Sequence, residues 1–105
     1  EALAELGRNE EARTRVNAIR ERAQAQLITD SGDDLKDAIY WERCRELMGE
    51  GHYFYDLVRT KKIIDSEYAF APIGVEAFND GAWTWPIEES ALKNNPYMDL
   101  NNYWR

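Results

Sequence analysis

A mainly helical chain with an irregular, aromatic-rich C-terminal tail is the fold that this 105-residue sequence predicts. Apolar residues recur at three- and four-residue steps through the first half, where helix formers dominate. Beyond Ile64, Gly, Pro, Asn and aromatic residues take over without sustained periodicity. The expected division is a helical part, residues 1–64, followed by a wrapping tail, residues 65–105, within one domain at most.

The elements follow in order. Leu3 and Leu6 read as the end of a helix, Gly7 and Arg8 as a turn, and Asn9 as the cap of the next helix. Glu10 and Glu11 suit the positive N-terminus of that second helix. Its apolar stripe is Ala12, Val16, Ile19 and Ala23, while Glu11 and Arg15 have the spacing of an ion pair on the solvated face. A short-turn helical hairpin of this kind is the unit of tetratricopeptide-like arrays, and alone it cannot bury its own face. Preceding repeats are therefore expected upstream of Glu1, which also lacks an initiator methionine.

A further helix is expected from about Asp33 to Met48, capped by Ser31 or Asp33 after the polar turn Thr29 to Gly32. Leu35, Ala38 and Ile39 share a face with Glu42 and Glu46, and Tyr40, Trp41, Cys44, Leu47 and Met48 occupy the opposite face. A helix wanted by a core on both sides is sandwiched, and carboxylates on such a face require cations. Arg43 and Arg45 on the helix flanks and Arg59 on the next helix are the candidates, and Arg59 is the expected partner of Glu42 or Glu46. Gly49 to Gly51 break the pattern. Tyr53 to Ile63 then resumes it, with Phe54, Leu57 and Val58 inward and Lys61 and Lys62 at the favourable C-terminal end.

Composition excludes several function classes. A net charge of -7 and a pI near 4.7 oppose attraction to phosphate backbones or anionic lipid, so nucleic acid is not an expected partner. The single cysteine, Cys44, forms no internal disulfide and builds no thiolate metal site. No apolar run reaches the ~20 residues that span a bilayer. No two-histidine motif, calcium loop or glycine-rich phosphate cradle is present, so no metal and no cofactor are expected.

From Glu42 onward, ERCRELMGEGHYFYDLVRT, WPIEES and KNNPYMDLNNYW follow one another in that order. The series resembles the C-terminal portion of the SusD/RagB family, through Glu42, Arg43, Glu46, Leu47, Glu50, Gly51, Asp56, Leu57 and Arg59. His52 and Tyr53, Glu88 after Pro86-Ile87, and the ending NNYW depart from the usual family pattern. The resemblance implies a non-catalytic outer-membrane lipoprotein of the Bacteroidetes, built on tetratricopeptide-like helices, that captures glycans or oligosaccharides at the cell surface for nutrient uptake. It further implies delivery of that ligand to a SusC-like TonB-dependent transporter, with a lipidated N-terminal cysteine outside this chain. Family ligand contacts vary and lie mostly upstream, so none carries over by position.

Local residues offer a few rival chemistries. Trp83 and Trp85 alternate along a segment read as extended, which would put both on one side as a platform for a sugar face. The favoured reading is that they are buried anchors pinning the tail, as are Tyr53, Tyr55, Tyr97 and Trp104. Glu88 with Glu89, and Glu46 with Glu50, are the carboxyl pairs a glycoside hydrolase would need, but neighbours in a turn rarely straddle a sugar bond. His52, the only histidine, has no nucleophile elbow beside it. The alternative to glycan capture is a tetratricopeptide-like protein-interaction module, which explains the hairpin but not the WPI and NNP elements.

Overall fold

The computed structural model describes residues 1–105 and contains helices and turns but no strand. In chain order the helices are α1 (Ala2–Glu5), α2 (Asn9–Arg22), α3 (Gly32–Glu46), α4 (Tyr53–Arg59), α5 (Val75–Asn79) and α6 (Glu89–Asn94), with a 3-10 turn at Lys62–Ile64. They fall into two compact units, Glu1–Tyr53 and Phe54–Arg105. Residues 65–105, read from sequence as irregular, carry the short helices α5 and α6.

In the first unit, Ala4, Ala12, Val16, Ile28, Leu35 and Ile39 form one buried cluster, with Leu3 and Ala38 packed against it. The periodic residues expected to face inward do so, except that Ile19 is only half-buried and Ala23 lies exposed at the C-cap of α2. Paired side chains fix the helix directions. Lys36 Nζ lies 3.1 Å from Glu5 and Arg43 Nε 4.0 Å from Glu1, so α3 runs antiparallel to α1. Arg20 pairs with Glu42 and Arg22 with Glu46, so α3 runs in the same direction as α2.

That parallel arrangement requires the chain to travel back along α2 before α3 starts, and residues 25–30 do this without helical or strand hydrogen bonding. Side chains of α2 supply the missing partners. Arg13 Nη1 donates to the carbonyls of Thr29 (3.1 Å) and Asp30 (2.7 Å). Asn17 Nδ2 donates to the Ile28 carbonyl (2.9 Å), and Asn17 Oδ1 accepts from the Ile28 N–H (2.8 Å). Arg20 Nε donates to the Gln26 carbonyl. Positions 13, 17 and 20 share one helix face, so α2 carries a polar clamp beside its apolar stripe.

The caps differ from expectation. Asn9 is the first helical residue of α2, and neither Arg8 before it nor Ser31 before α3 makes a side-chain capping bond. Glu11 is held in a fork by Arg8 (2.7 and 2.6 Å), three residues earlier, rather than by Arg15. Of the two faces of α3, Leu35 and Ile39 enter the cluster; on the opposite face Tyr40 is buried, Trp41, Cys44 and Leu47 are half-buried, and Met48, expected inward, is exposed. Gly49, with φ of +80°, takes the left-handed conformation that ends this stretch.

In the second unit, Leu57, Ile63 and Ala69 are buried, while Phe54, expected inward, is exposed. Lys61 adopts a left-handed φ of 58° after α4, and the 3-10 turn follows at once. The loop from there closes where the Ile73 N–H donates to the Ile63 carbonyl (3.1 Å). Lys62 Nζ sits 3.4 Å from the centre of the Tyr68 ring, a cation–π contact.

Candidate functional site

Glu42 is a buried carboxylate, 5% exposed, on a helix face otherwise given to Leu35 and Ile39. Burying that charge is tolerable only with cations against it. Arg20 Nη1 meets Glu42 Oε2 from α2, and Arg45 Nη1 reaches the same oxygen at 3.0 Å from one turn along α3. Glu46 is met by Arg22, and its carboxylate raises the Arg22 guanidinium above its usual pKa through a hydrogen bond and direct attraction. Arg59, to which the sequence reading looked, donates through Nε to Asp56 Oδ1 at 2.6 Å. The reason lies in helix direction: parallel packing of α2 on α3 carries Arg20 and Arg22 to the level of Glu42 and Glu46. Only the polar face of α2, read as solvated, could have signalled this.

Asp56 is the second buried carboxylate, 3% exposed, a burial that its place in the motif does not reveal. Besides Arg59, its backbone carbonyl accepts from Thr60 Oγ1 at 2.6 Å. Glu42 lines a groove of the first unit together with Glu1 and Glu46, and each of the three carboxylates is paired with an arginine: Glu42 with Arg20, Glu46 with Arg22 and Glu1 with Arg43. Glu88 accepts from Ser90 Oγ (2.7 Å) at the start of α6, and Glu89 pairs with Lys93 (2.7 Å) one turn on. Those are the ordinary contacts of a helix start. His52, Cys44 and the acids form no group of three that converges on a metal position.

The tail is built around a knot of hydrogen bonds. Gly81 and Thr84 close a turn in which the Thr84 N–H (3.0 Å) and Oγ1 (2.8 Å) both donate to the Gly81 carbonyl. Asn101 Nδ2 donates to that carbonyl (3.0 Å) and to Thr84 Oγ1. The Tyr103 N–H donates to the Asp80 carbonyl (2.9 Å), and Trp104 Nε1 donates to the Thr84 carbonyl (3.0 Å). Gly81 is required here: its φ is +95°, and a Cβ at this position would lie 2.4 Å from Asn101 Nδ2.

The two tryptophans therefore do not sit on an extended strand, and strand alternation does not govern them. Trp83 packs on Phe78, with ring centres 6.3 Å apart and an interplanar angle of 33°. Trp85, immediately after the knotted Thr84, is 87% exposed. The expectation of buried anchors thus fails within this chain: Trp85, Tyr97 and Tyr55 are strongly exposed, and Trp83, Tyr53 and Trp104 are each more than a third exposed. Trp104 is the tail residue that comes nearest to an anchor, through its indole bond to Thr84 and its edge-to-face contact with Tyr103 at 4.9 Å. An exposed indole on an immobilised backbone presents a flat apolar face at little entropic cost. That is the property a sugar-stacking residue needs.

Comparison with known proteins gives a consistent picture. A family model described as the SusD family matches residues 1–104. A SusD-like protein, P38, from Formosa agariphila is 33% identical over 111 aligned positions, covering 96% of this chain and 21% of its own length. The crystal structure of a SusD homolog from Bacteroides thetaiotaomicron superposes with a TM-score of 0.93 at 54% identity, over 99% of this chain and 22% of that one. The chain thus spans about a fifth of the length of the relatives it matches.

Proposed function

Given that this chain belongs to the SusD family, we propose that it is the C-terminal portion of a non-catalytic glycan-binding lipoprotein at the bacterial cell surface. The whole protein holds an oligosaccharide at the outer membrane and hands it to a SusC-like TonB-dependent transporter. Within that protein the first unit is scaffold: its buried acid, Glu42, is neutralised by Arg20 and Arg45, and polar side chains of α2 are engaged in holding backbone. No helix is long and apolar enough to cross a membrane.

The observation that carries a local binding role is the exposure of Trp85 beside the hydrogen-bonded Thr84. We assign Trp85 as a stacking face for a sugar ring, with Trp83 holding the turn through Phe78. The protein-interaction alternative rests on the hairpin alone and draws no support from the tail. The test is glycan-array binding by the full-length protein and its Trp85→Ala variant, with reducing sugar assayed in the same wells. Binding without sugar release, weakened about tenfold by the substitution, is expected; tenfold corresponds to roughly 1.4 kcal/mol. Sugar release would overturn the non-catalytic reading, and undiminished binding by the variant would remove Trp85 from the ligand site.

A further inference from the structure

The exposed face of Trp85 lies in a segment whose cations are all turned onto its own acids. From Asn79 to Arg105 the chain carries four acids, Asp80, Glu88, Glu89 and Asp99, and two cations, Lys93 and Arg105. Lys93 Nζ pairs with Glu89 at 2.7 Å. Arg105 donates through Nε to the Leu100 carbonyl (3.0 Å), and its Nη2 pairs with Asp99. Asp80 and Glu88 are exposed and form no ion pair within the chain.

Both of these acids are held close to Trp85. Glu88 follows it by three residues, which span at most about 11 Å when fully extended. Asp80 is tied to the same turn: its carbonyl accepts from the Tyr103 N–H at 2.9 Å, and the adjoining Trp104 indole donates to the Thr84 carbonyl at 3.0 Å. A sugar ring stacked on Trp85 therefore meets two carboxylates and no available ammonium or guanidinium.

We infer that the Trp85 face selects uncharged sugar rings, with Glu88 and Asp80 turning away uronate carboxylates and sulfate esters; this rests on the reading of Trp85 as a stacking face. Carboxylates are acceptors only, and the hydroxyls of a neutral sugar are donors, so the acids that repel an anion also offer charge-assisted hydrogen bonds to a neutral ring. An anionic ring requires instead an arginine or lysine that is not already engaged, and the segment presents none. Coulomb's law sets the scale: in water, a unit negative charge about 9 Å from each of two carboxylates is disfavoured about fivefold, and less as salt screens it.

The experiment is an array on which each neutral oligosaccharide is printed beside its counterpart with the C6 hydroxymethyl groups oxidised to carboxylates, probed with the full-length protein and its Trp85→Ala variant. The signals that depend on Trp85 are expected from the neutral members, with the oxidised counterparts bound about fivefold more weakly or worse at about 10 mM salt, and with the gap narrowing at higher salt. Glu88→Lys replaces a repulsion with an attraction and is expected to narrow that gap about fourfold. Glu21→Lys makes the same change in net charge from an exposed position in the first unit and is expected to narrow it by less than about twofold. Equal shifts in the two variants would overturn the role of Glu88. Signals that depend on Trp85 but favour the oxidised forms, or treat both forms alike, would overturn the selectivity while the stacking face stands. The absence of any signal that depends on Trp85 would overturn the stacking face and the selectivity together, so the two failures are told apart.

Discussion

Replacing Asn17 with alanine removes both hydrogen bonds that hold Ile28, the donor to its carbonyl at 2.9 Å and the acceptor for its N–H at 2.8 Å. Ile28 is 8% exposed, so water replaces neither bond without the segment moving outward. Two neutral hydrogen bonds contribute about 1 kcal/mol each, and a buried group left unpaired adds roughly another 1 kcal/mol. Alanine returns somewhat over half a kcal/mol through its better helix propensity. The net loss is about 2 kcal/mol, concentrated in residues 25–30 because that segment has no ladder of its own. Hydrogen–deuterium exchange of the full-length protein reads this directly: amides in that segment are expected to exchange about 30-fold faster, at tenfold per 1.4 kcal/mol. Thr14→Ala is the control, since the Thr14 hydroxyl bonds only to Glu10 within its own helix. Exchange in Asn17→Ala within twofold of the parent protein would refute the clamp.

Three further outcomes follow from the same geometry. Arg20→Met leaves the buried Glu42 with Arg45 as its remaining cation; a cost of about 2–3 kcal/mol, below the full buried-pair figure because Arg45 stays, is expected as faster amide exchange in α3. Arg22→Ala, by contrast, removes a partner from an exposed pair and is expected to leave exchange in α3 nearly unchanged, with a shift as large as that of Arg20→Met counting against the distinction. Gly81→Ala forces a Cβ into Asn101 and strains a φ of +95°; loss of about 2–3 kcal/mol should appear as faster exchange of the Tyr103 amide, and unchanged protection there would show that the knot tolerates the methyl group.

The sequence by itself determined the helical class, the inward stripe of Ala12, Val16, Leu35 and Ile39, and the family, because helical periodicity and a long ordered motif are local properties of the chain. It also marked Glu42 as an acid in need of a cation, since a carboxylate on an apolar stripe is visible in the spacing alone. Which cation answers depended on the direction in which α3 returns past α2, and that direction is set by the clamped segment 25–30, whose structure lies in contacts between residues 13, 17 and 20 and a backbone ten or more positions away. Trp85 shows the same limit. Its aromatic character was legible, but its exposure was decided by a turn held together by Gly81, Thr84 and Asn101, a convergence across about twenty residues that no local pattern encodes.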